Sequence, residues 1–331
     1  MKRINNLYNQ IISIENLQLA DEKARKGKTR SYGVLKHDKS REQNILDLHK
    51  MLKEGTYKTS PYDIFIKKTP KIRKIYRLPY FPDRIAHHAV MNIMEPIWYK
   101  VFSVNSYSCI KGRGIHQALV DLKRYLKKDP EGTKYCLKID IKKFYDNIDH
   151  DILKAIIRKK IKDVRLLTLL DEVIDSAPGV PIGNYLSQYF ANLYLTYFDH
   201  WLKEVKGVKY YLRYADDIVI LASNKEFLHS LFKDMDRYLR EELKLEIKGN
   251  WQIFPVEDRG IDFVGYVFFH KYVLLRKSIK KNFARTLYKF RKRNLLIDKN
   301  QIASWIGWAK HCNSTNLLKK LNYESILRPT A

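Results

Sequence analysis

Hydrophobic positions follow two periods along this chain, and the switches between them divide it into parts. In EQNILDLHKMLKEGTY, apolar side chains fall at Ile45, Leu46, Leu48, Met51 and Leu52, the spacing of an amphipathic helix, so residues 1–60 read as helical and charged. A basic, β-prone stretch follows, YDIFIKKTPKIRKIYRLPYF, and DRIAHHAVMNIMEPIWYKVF returns to helix. From Tyr135 to about His270 the two periods alternate, a mixed α/β pattern. Within YCLKIDIKKFYDNIDH, Leu137, Ile139 and Ile141 fall on one side of a strand and Cys136, Lys138 and Asp140 on the other, which puts Asp140 at the strand's end. YYLRYADDIVIL, residues 210–221, reads as two short strands around a tight turn with Asp216 and Asp217 near its tip. A helix from Gly183 through Trp201 is apolar nearly all round and belongs to the core, and GIDFVGYVFF reads as a hairpin.

Charge changes this picture. The chain carries 63 Lys and Arg against 36 Asp and Glu, a formal net charge of +27, which exceeds what solubility needs and points to a polyanionic partner, nucleic acid foremost. No acidic residue occurs from Phe263 to Ile297, where Lys277, Lys281, Arg285, Lys289 and Arg293 recur every four residues beside Phe283, Leu287 and Phe290. On a helix these form a cationic stripe next to an apolar one. Like charges at that spacing repel by a few tenths of a kcal/mol per pair, and a merely solvated face mixes signs, so contact with a phosphate backbone is expected. The first twenty residues do not form a basic amphipathic helix with a lipid-facing side, and they lack a signal-peptide core. No run of about 18 apolar residues occurs, so a soluble, cytoplasmic protein with no membrane partner is expected. Cys109, Cys136 and Cys312 are odd in number and lack metal-ligand spacing, which fits reduced thiols.

Adjacent aspartates in a pattern about to be buried need a counter-charge, since each costs several kcal/mol to desolvate. An Asp pair in a turn is common by itself. If the hairpin pairs with the strand that ends at Asp140, the carboxylates converge on one place. A hard divalent cation then compensates them, and two such ions about 3.5–4 Å apart clamp an in-line phosphoryl displacement.

RYADDIVIL resembles the YxDD hairpin of reverse transcriptases, and KIDIKKFYDNID their first aspartate motif. KIYRLPYFPDRIAHHAV and NSYSCIKGRGIHQAL resemble the fingers-side motifs, in order and at suitable spacing, with the match running from about Tyr57 to the C-terminus. GVPIGNYLSQYFANLYL departs from the usual PQGxxxSP pattern: Ile182 stands where Gln is usual and Gln188 where Pro is usual. This IGxxxSQ form resembles the reverse transcriptases of diversity-generating retroelements, as do NWQIFPVEDRGIDFVGY and SWIGWAKHCNS.

The resemblance implies an α+β right-hand polymerase fold: an N-terminal helical segment (1–60), fingers (61–134), a palm of antiparallel sheet with packed helices (135–270) and a short helical thumb (271–331). It implies an RNA-directed DNA polymerase, bacterial or phage-encoded, that copies a template RNA into cDNA with errors at adenines. It further implies two Mg²⁺ ions, deoxynucleoside triphosphates, template RNA and an RNA/cDNA duplex, and an oligomeric accessory variability protein as partner. From the length, no added maturase or nuclease domain is expected. A retron, group II intron-like or antiphage reverse transcriptase stays open, as does a catalytically idle RNA-binding protein of the same fold.

Residue by residue, the resemblance makes Asp140, Asp216 and Asp217 catalytic metal ligands, with the main-chain carbonyl of Ile141 as a further ligand. Tyr145 falls where the family places an aromatic ring under the incoming sugar. Arg73 and Lys74, with Lys67 and Lys68 behind them, fall where basic residues grip the triphosphate. Ile182, Gly183 and Gln188 fall where the helix start faces the nascent pair, and Lys248 is a candidate general acid for departing pyrophosphate. His87 and His88 point different ways on a helix and read as packing residues, while Asp83 and Arg84 read as a local pair.

Overall fold

Strands and helices form where the two periods place them in a computed structural model that describes residues 3–68 and 72–327. The helices α1 (Tyr8–Ile12), α2 (Ile14–Arg25), α3 (Tyr32–Asp38) and α4 (Arg41–Glu54) precede a hairpin of β1 (Asp63–Lys67) and β2 (Arg73–Arg77), then α5 (Ile85–Tyr99). Next come α6 (Ile115–Lys128), β3 (Tyr135–Asp140), α7 (His150–Arg158), α8 (Val164–Asp175) and α9 (Tyr185–His200). A hairpin of β4 (Tyr210–Tyr214) and β5 (Asp217–Ala222) leads to α10 (Lys225–Leu243), β6 (Gln252–Pro255) and the single turn α11 (Val256–Arg259). Three short strands, β7 (Ile261–Phe263), β8 (Tyr266–Phe268) and β9 (Val273–Leu275), precede α12 (Lys277–Lys292), α13 (Lys299–Ala309) and α14 (Thr315–Leu321).

The chain divides into two units, each assembled from separate stretches. One comprises Met1–Val104, Ile141–Leu202 and Asp236–Ile247; the other comprises Asn105–Asp140, Lys203–Met235 and Lys248–Ala331. In the first unit, α4 stops at Gly55, whose φ of 72° is the left-handed conformation that ends a helix at little cost in glycine. The β1–β2 hairpin pairs Asp63 with Arg77 and Lys67 with Arg73, and residues 69–71 of the basic β-prone stretch lie outside the described residues. Helix α9 buries Phe190, Leu193, Tyr194 and Phe198, the all-round core helix that its composition predicts. His87 and His88 are buried, and His88 stacks on Tyr185 at 4.1 Å between ring centroids, a packing role. Asp83 differs from expectation: it accepts from the Tyr57 hydroxyl (2.9 Å) and the Ser60 amide (3.0 Å), so it anchors the loop after α4 rather than its neighbour Arg84.

The second unit is built on a four-stranded antiparallel sheet in the order β4-β5-β3-β6. On one face Cys136, Leu212, Val219, Leu221 and Phe254 pack with Ala118, Leu119, Leu122 and Leu126 of α6. The same core takes in Phe263, Tyr266, Phe268 and Val273 of the small sheet β7-β8-β9. The other face, with Leu137, Ile139, Tyr211, Ile218 and Ile220, is equally buried. Burial on both faces explains why β5 reads IVIL rather than alternating apolar with polar residues. Beyond the sheets, α12 and α13 share a smaller core of Phe283, Leu287, Ile297 and Ile302. No helix among the described residues is long and apolar enough to cross a membrane.

Candidate active site

Strand register brings the acidic residues of the second unit together. β3 and β5 run antiparallel with Asp140 directly opposite Asp217, so both carboxylates leave the same face of the sheet at the same end. Tyr214 pairs with Asp217, leaving Ala215 and Asp216 as a two-residue hairpin loop. Ala215 has φ 55°, a left-handed conformation that costs a non-glycine residue about 1 kcal/mol or more and occurs mostly where function over-determines the backbone. Arg213, fully buried on the opposite face of β4, donates from Nη1 to the Ala215 carbonyl at 3.1 Å and helps hold that turn.

The electrostatics are those of a site with excess negative charge. Burial raises the pKa of Asp216 to about 6, and the adjacent Asp140 charge adds to the rise. Burial also raises Asp217, partly offset by Lys138. Two like charges 4 Å apart repel by about 4 kcal/mol at an effective dielectric of 20, so the cluster needs cations. Two lysines supply some of the charge. Lys248 Nζ contacts Asp140 Oδ1, and its main-chain amide donates to the Asp140 carbonyl at 2.8 Å. Lys138 Nζ lies 3.4 Å from Asp217 Oδ1 and also donates to the Asp262 carbonyl.

A divalent cation fits these residues. Carboxylates form an all-oxygen donor set of the kind hard cations prefer, and Asp217 Oδ1 is a buried acceptor that makes no hydrogen bond. Among the described residues, no three His, Cys, Asp or Glu side chains are already grouped around one metal position; Lys248 and Lys138 engage Asp140 and Asp217 separately. Ile141 follows Asp140, its side chain buried and its backbone bridged to Ile247 in the first unit.

The remaining expected nucleotide contacts lie in the first unit, and the structure ties several of them to one another. The Tyr76 amide on β2, the strand that carries the exposed Arg73 and Lys74, donates to the Ile182 carbonyl at 2.8 Å. Gly183 has φ 128°, and a Cβ there would stand 2.3 Å from the Tyr76 carbonyl oxygen, so only glycine permits this close approach. Ile182 is half-buried, and Gln188 is exposed on the first turns of α9. Tyr145, half-buried, opens a short 3₁₀ turn, and its carbonyl accepts from the Val180 amide at 2.8 Å. Tyr145 is thus bonded to the 179–183 loop that contains Ile182, Arg73 and Lys74 sit on the strand bonded to the same loop, and Lys67 is exposed on the paired strand.

Lys277, Lys281, Arg285, Lys289 and Arg293 are all exposed; the first four lie on α12 and Arg293 caps its C-terminal end, while Phe283 and Leu287 on the adjoining face are buried. The sequence reading missed two residues of the acidic site. Lys138 was legible, since strand alternation already puts it two positions before Asp140 on the same side. Arg213 was not, because nothing in RYADD distinguishes an inward arginine from a solvated one.

The fold defines the class. Telomerase from Candida albicans, solved in complex with a TWJ fragment of telomeric RNA, matches with a TM-score of 0.50 and 13% identity over 87% of this chain and 61% of that one, and the fold they share is the right-hand polymerase fold. The family model "Reverse transcriptase (RNA-dependent DNA polymerase)" matches residues 66–268, more than half of the chain. The chain belongs to the reverse transcriptase family. It is 25% identical to Protein YkfC of Escherichia coli over 260 residues, 65% of this chain and 68% of that protein. It is 31% identical to the group II intron-encoded protein LtrA of Lactococcus lactis over 178 residues, half of this chain but 29% of that one.

Proposed function

We propose that the protein is an RNA-directed DNA polymerase that makes adenine-mutagenised cDNA from a template RNA for targeted gene diversification. The catalytic part of this reading rests on the opposition of Asp140 to Asp217 with Asp216 on the intervening turn. Asp140, Asp216, Asp217 and the Ile141 carbonyl would hold two Mg²⁺ ions, which when bound supply Lewis-acid stabilisation of the developing charge in phosphoryl transfer. In the reaction the primer 3′-oxygen bonds to the α-phosphorus of a deoxynucleoside triphosphate as the bond to pyrophosphate breaks. Arg73 and Lys74 bind the triphosphate, and Lys248, ion-paired with Asp140, is the candidate general acid for departing pyrophosphate. Residues 61–134, 135–270 and 271–331 serve as fingers, palm and thumb. Incubation with an RNA template, a DNA primer, deoxynucleotides and Mg²⁺ is expected to give full-length cDNA; no extension would leave an idle RNA-binding protein.

Tyr145 is assigned to sugar selection, its ring closing against a 2′-hydroxyl. Tyr145→Ala is expected to raise ribonucleotide incorporation at least about tenfold relative to deoxynucleotide, since one lost steric contact is worth about 1–3 kcal/mol. Unchanged discrimination in a primer-extension competition removes the role. Ile182 replaces an amide that would hydrogen-bond near the template base, and its apolar side chain relaxes checking of the pair. Ile182→Gln is expected to lower misincorporation opposite template adenines several-fold, read by sequencing the cDNA. An unaltered error rate sinks that assignment.

The similarity to LtrA favours a second reading, a group II intron-like reverse transcriptase, within the alternative that also includes retron and antiphage types. Errors concentrated at adenines distinguish the first reading from it, as does a near-identical repeat pair in the adjacent DNA that differs at adenines of one copy. An oligomeric accessory variability protein belongs to the first reading only.

A further inference from the structure

The second unit carries another concave basic surface at the far end of its sheet. A cleft of about 1130 Å³ is lined by Lys134, the residue before β3, whereas Asp140 ends that strand. Six residues of extended chain separate the two by about 20 Å. Past Val120, Lys123 and Asn313, which line both, the cleft continues into a depression of about 360 Å³.

Its charge is one-sided. Lys123 and Lys127 stand one turn apart on the exposed face of α6, with Lys134, Lys271 and Lys310 along the same path, all exposed. Of the two acids in the lining, Glu257 is bound to Nδ1 of His270, whose Nε2 lies 3.1 Å from the Thr133 hydroxyl. That leaves Glu131 against the row of ammonium groups.

Planar rings stand beside those cations at both ends. Phe269 and Tyr272 stack at 4.6 Å with 26° between their planes, and Tyr272 keeps 41% of its surface exposed. Beside the smaller depression, His116 stacks on His311 at 3.9 Å. A row of exposed, flexible ammonium groups with rings beside it is the arrangement that holds an unpaired strand, whose bases can leave one another and stack on side chains. A duplex keeps its bases stacked and offers nothing to such rings, and an acidic peptide makes no use of them.

We infer that this cleft binds a single-stranded segment of RNA, outside the polymerising site. The inference rests on the RNA-copying role for its natural occupant, and its test reads binding alone, so it stands or falls apart from catalysis. The probes are a fluorescein-labelled 20-nucleotide mixed-sequence RNA and a blunt RNA–DNA hybrid of equal length, titrated with the full chain. Lys123→Glu/Lys127→Glu is expected to weaken the single strand at least tenfold and lower the salt slope of log K by about 1.4, roughly 0.7 per lost phosphate contact. Tyr272→Ala is expected to weaken it about tenfold with an unchanged salt slope, as loss of one stacked base predicts. Both variants are expected to bind the blunt hybrid within twofold of wild type and to extend a primer on a template with a short overhang at the wild-type rate. Equal loss on hybrid and single strand overturns the proposal, as does single-strand binding within twofold of wild type. Both exchanges are at exposed side chains, and unchanged melting temperatures confirm that folding is intact.

Discussion

Asp216→Asn is expected to reduce nucleotide addition about a thousandfold or more while leaving RNA affinity within twofold. Asparagine keeps the shape of the side chain but removes the charge that a divalent cation needs, and loss of one preorganised charge-stabilising group already costs about a hundred- to a thousandfold. The change is safe for the fold. Asp216 has a pKa raised to about 6 by burial and by Asp140, so its ionised form is the strained one in the folded chain. Stability contributed by the neutral form is lost as pH rises through that value, and a neutral amide escapes the loss. In chelator at neutral pH, the variant should therefore melt at or above the wild-type temperature. Single-turnover primer extension reads the activity, and wild-type rates from the variant would end the assignment of the acidic turn to catalysis.

RNA affinity is expected to fall roughly a thousandfold between 50 and 200 mM salt. A net charge of +27 on 331 residues is not needed for solubility, and the exposed row Lys277, Lys281, Arg285, Lys289 and Arg293 offers cations along and at the end of one helix. With six to ten phosphates neutralised, counter-ion release alone gives that slope. Replacing three of the α12 cations by Gln should flatten it by about 2 to 3 units of log K per log salt, at about 0.7 to 0.9 for each contact. Fluorescence anisotropy at four salt concentrations reads it, and a flat response would contradict the assignment of the charge to nucleic acid.

The acidic site shows how far local pattern reaches. Alternation placed Asp140 at a strand end and the DD dipeptide in a hairpin turn, because a two-residue period and a turn are properties of a few consecutive residues. Opposition of Asp140 to Asp217 was conditional on the two segments pairing, and pairing across 76 residues of intervening chain is settled by burial of both sheet faces. The Asp83 contact with Tyr57 and Ser60, in place of a pair with Arg84, is likewise a matter of which loop packs alongside.

By itself the sequence determined the helical start, the two hairpins, the core helix α9, the cationic face of α12 and the identity of the acidic residues, since each is written in period, composition or motif. Tertiary structure decided which strands adjoin, that Lys138 and Lys248 face the carboxylates, that buried Arg213 braces the Ala215 turn, and that Gly183 lets β2 approach the 179–183 loop. The physical reason is range. Propensity and alternation act between neighbours along the chain, whereas a counter-charge, a brace or a close backbone approach exists only once distant segments share a core.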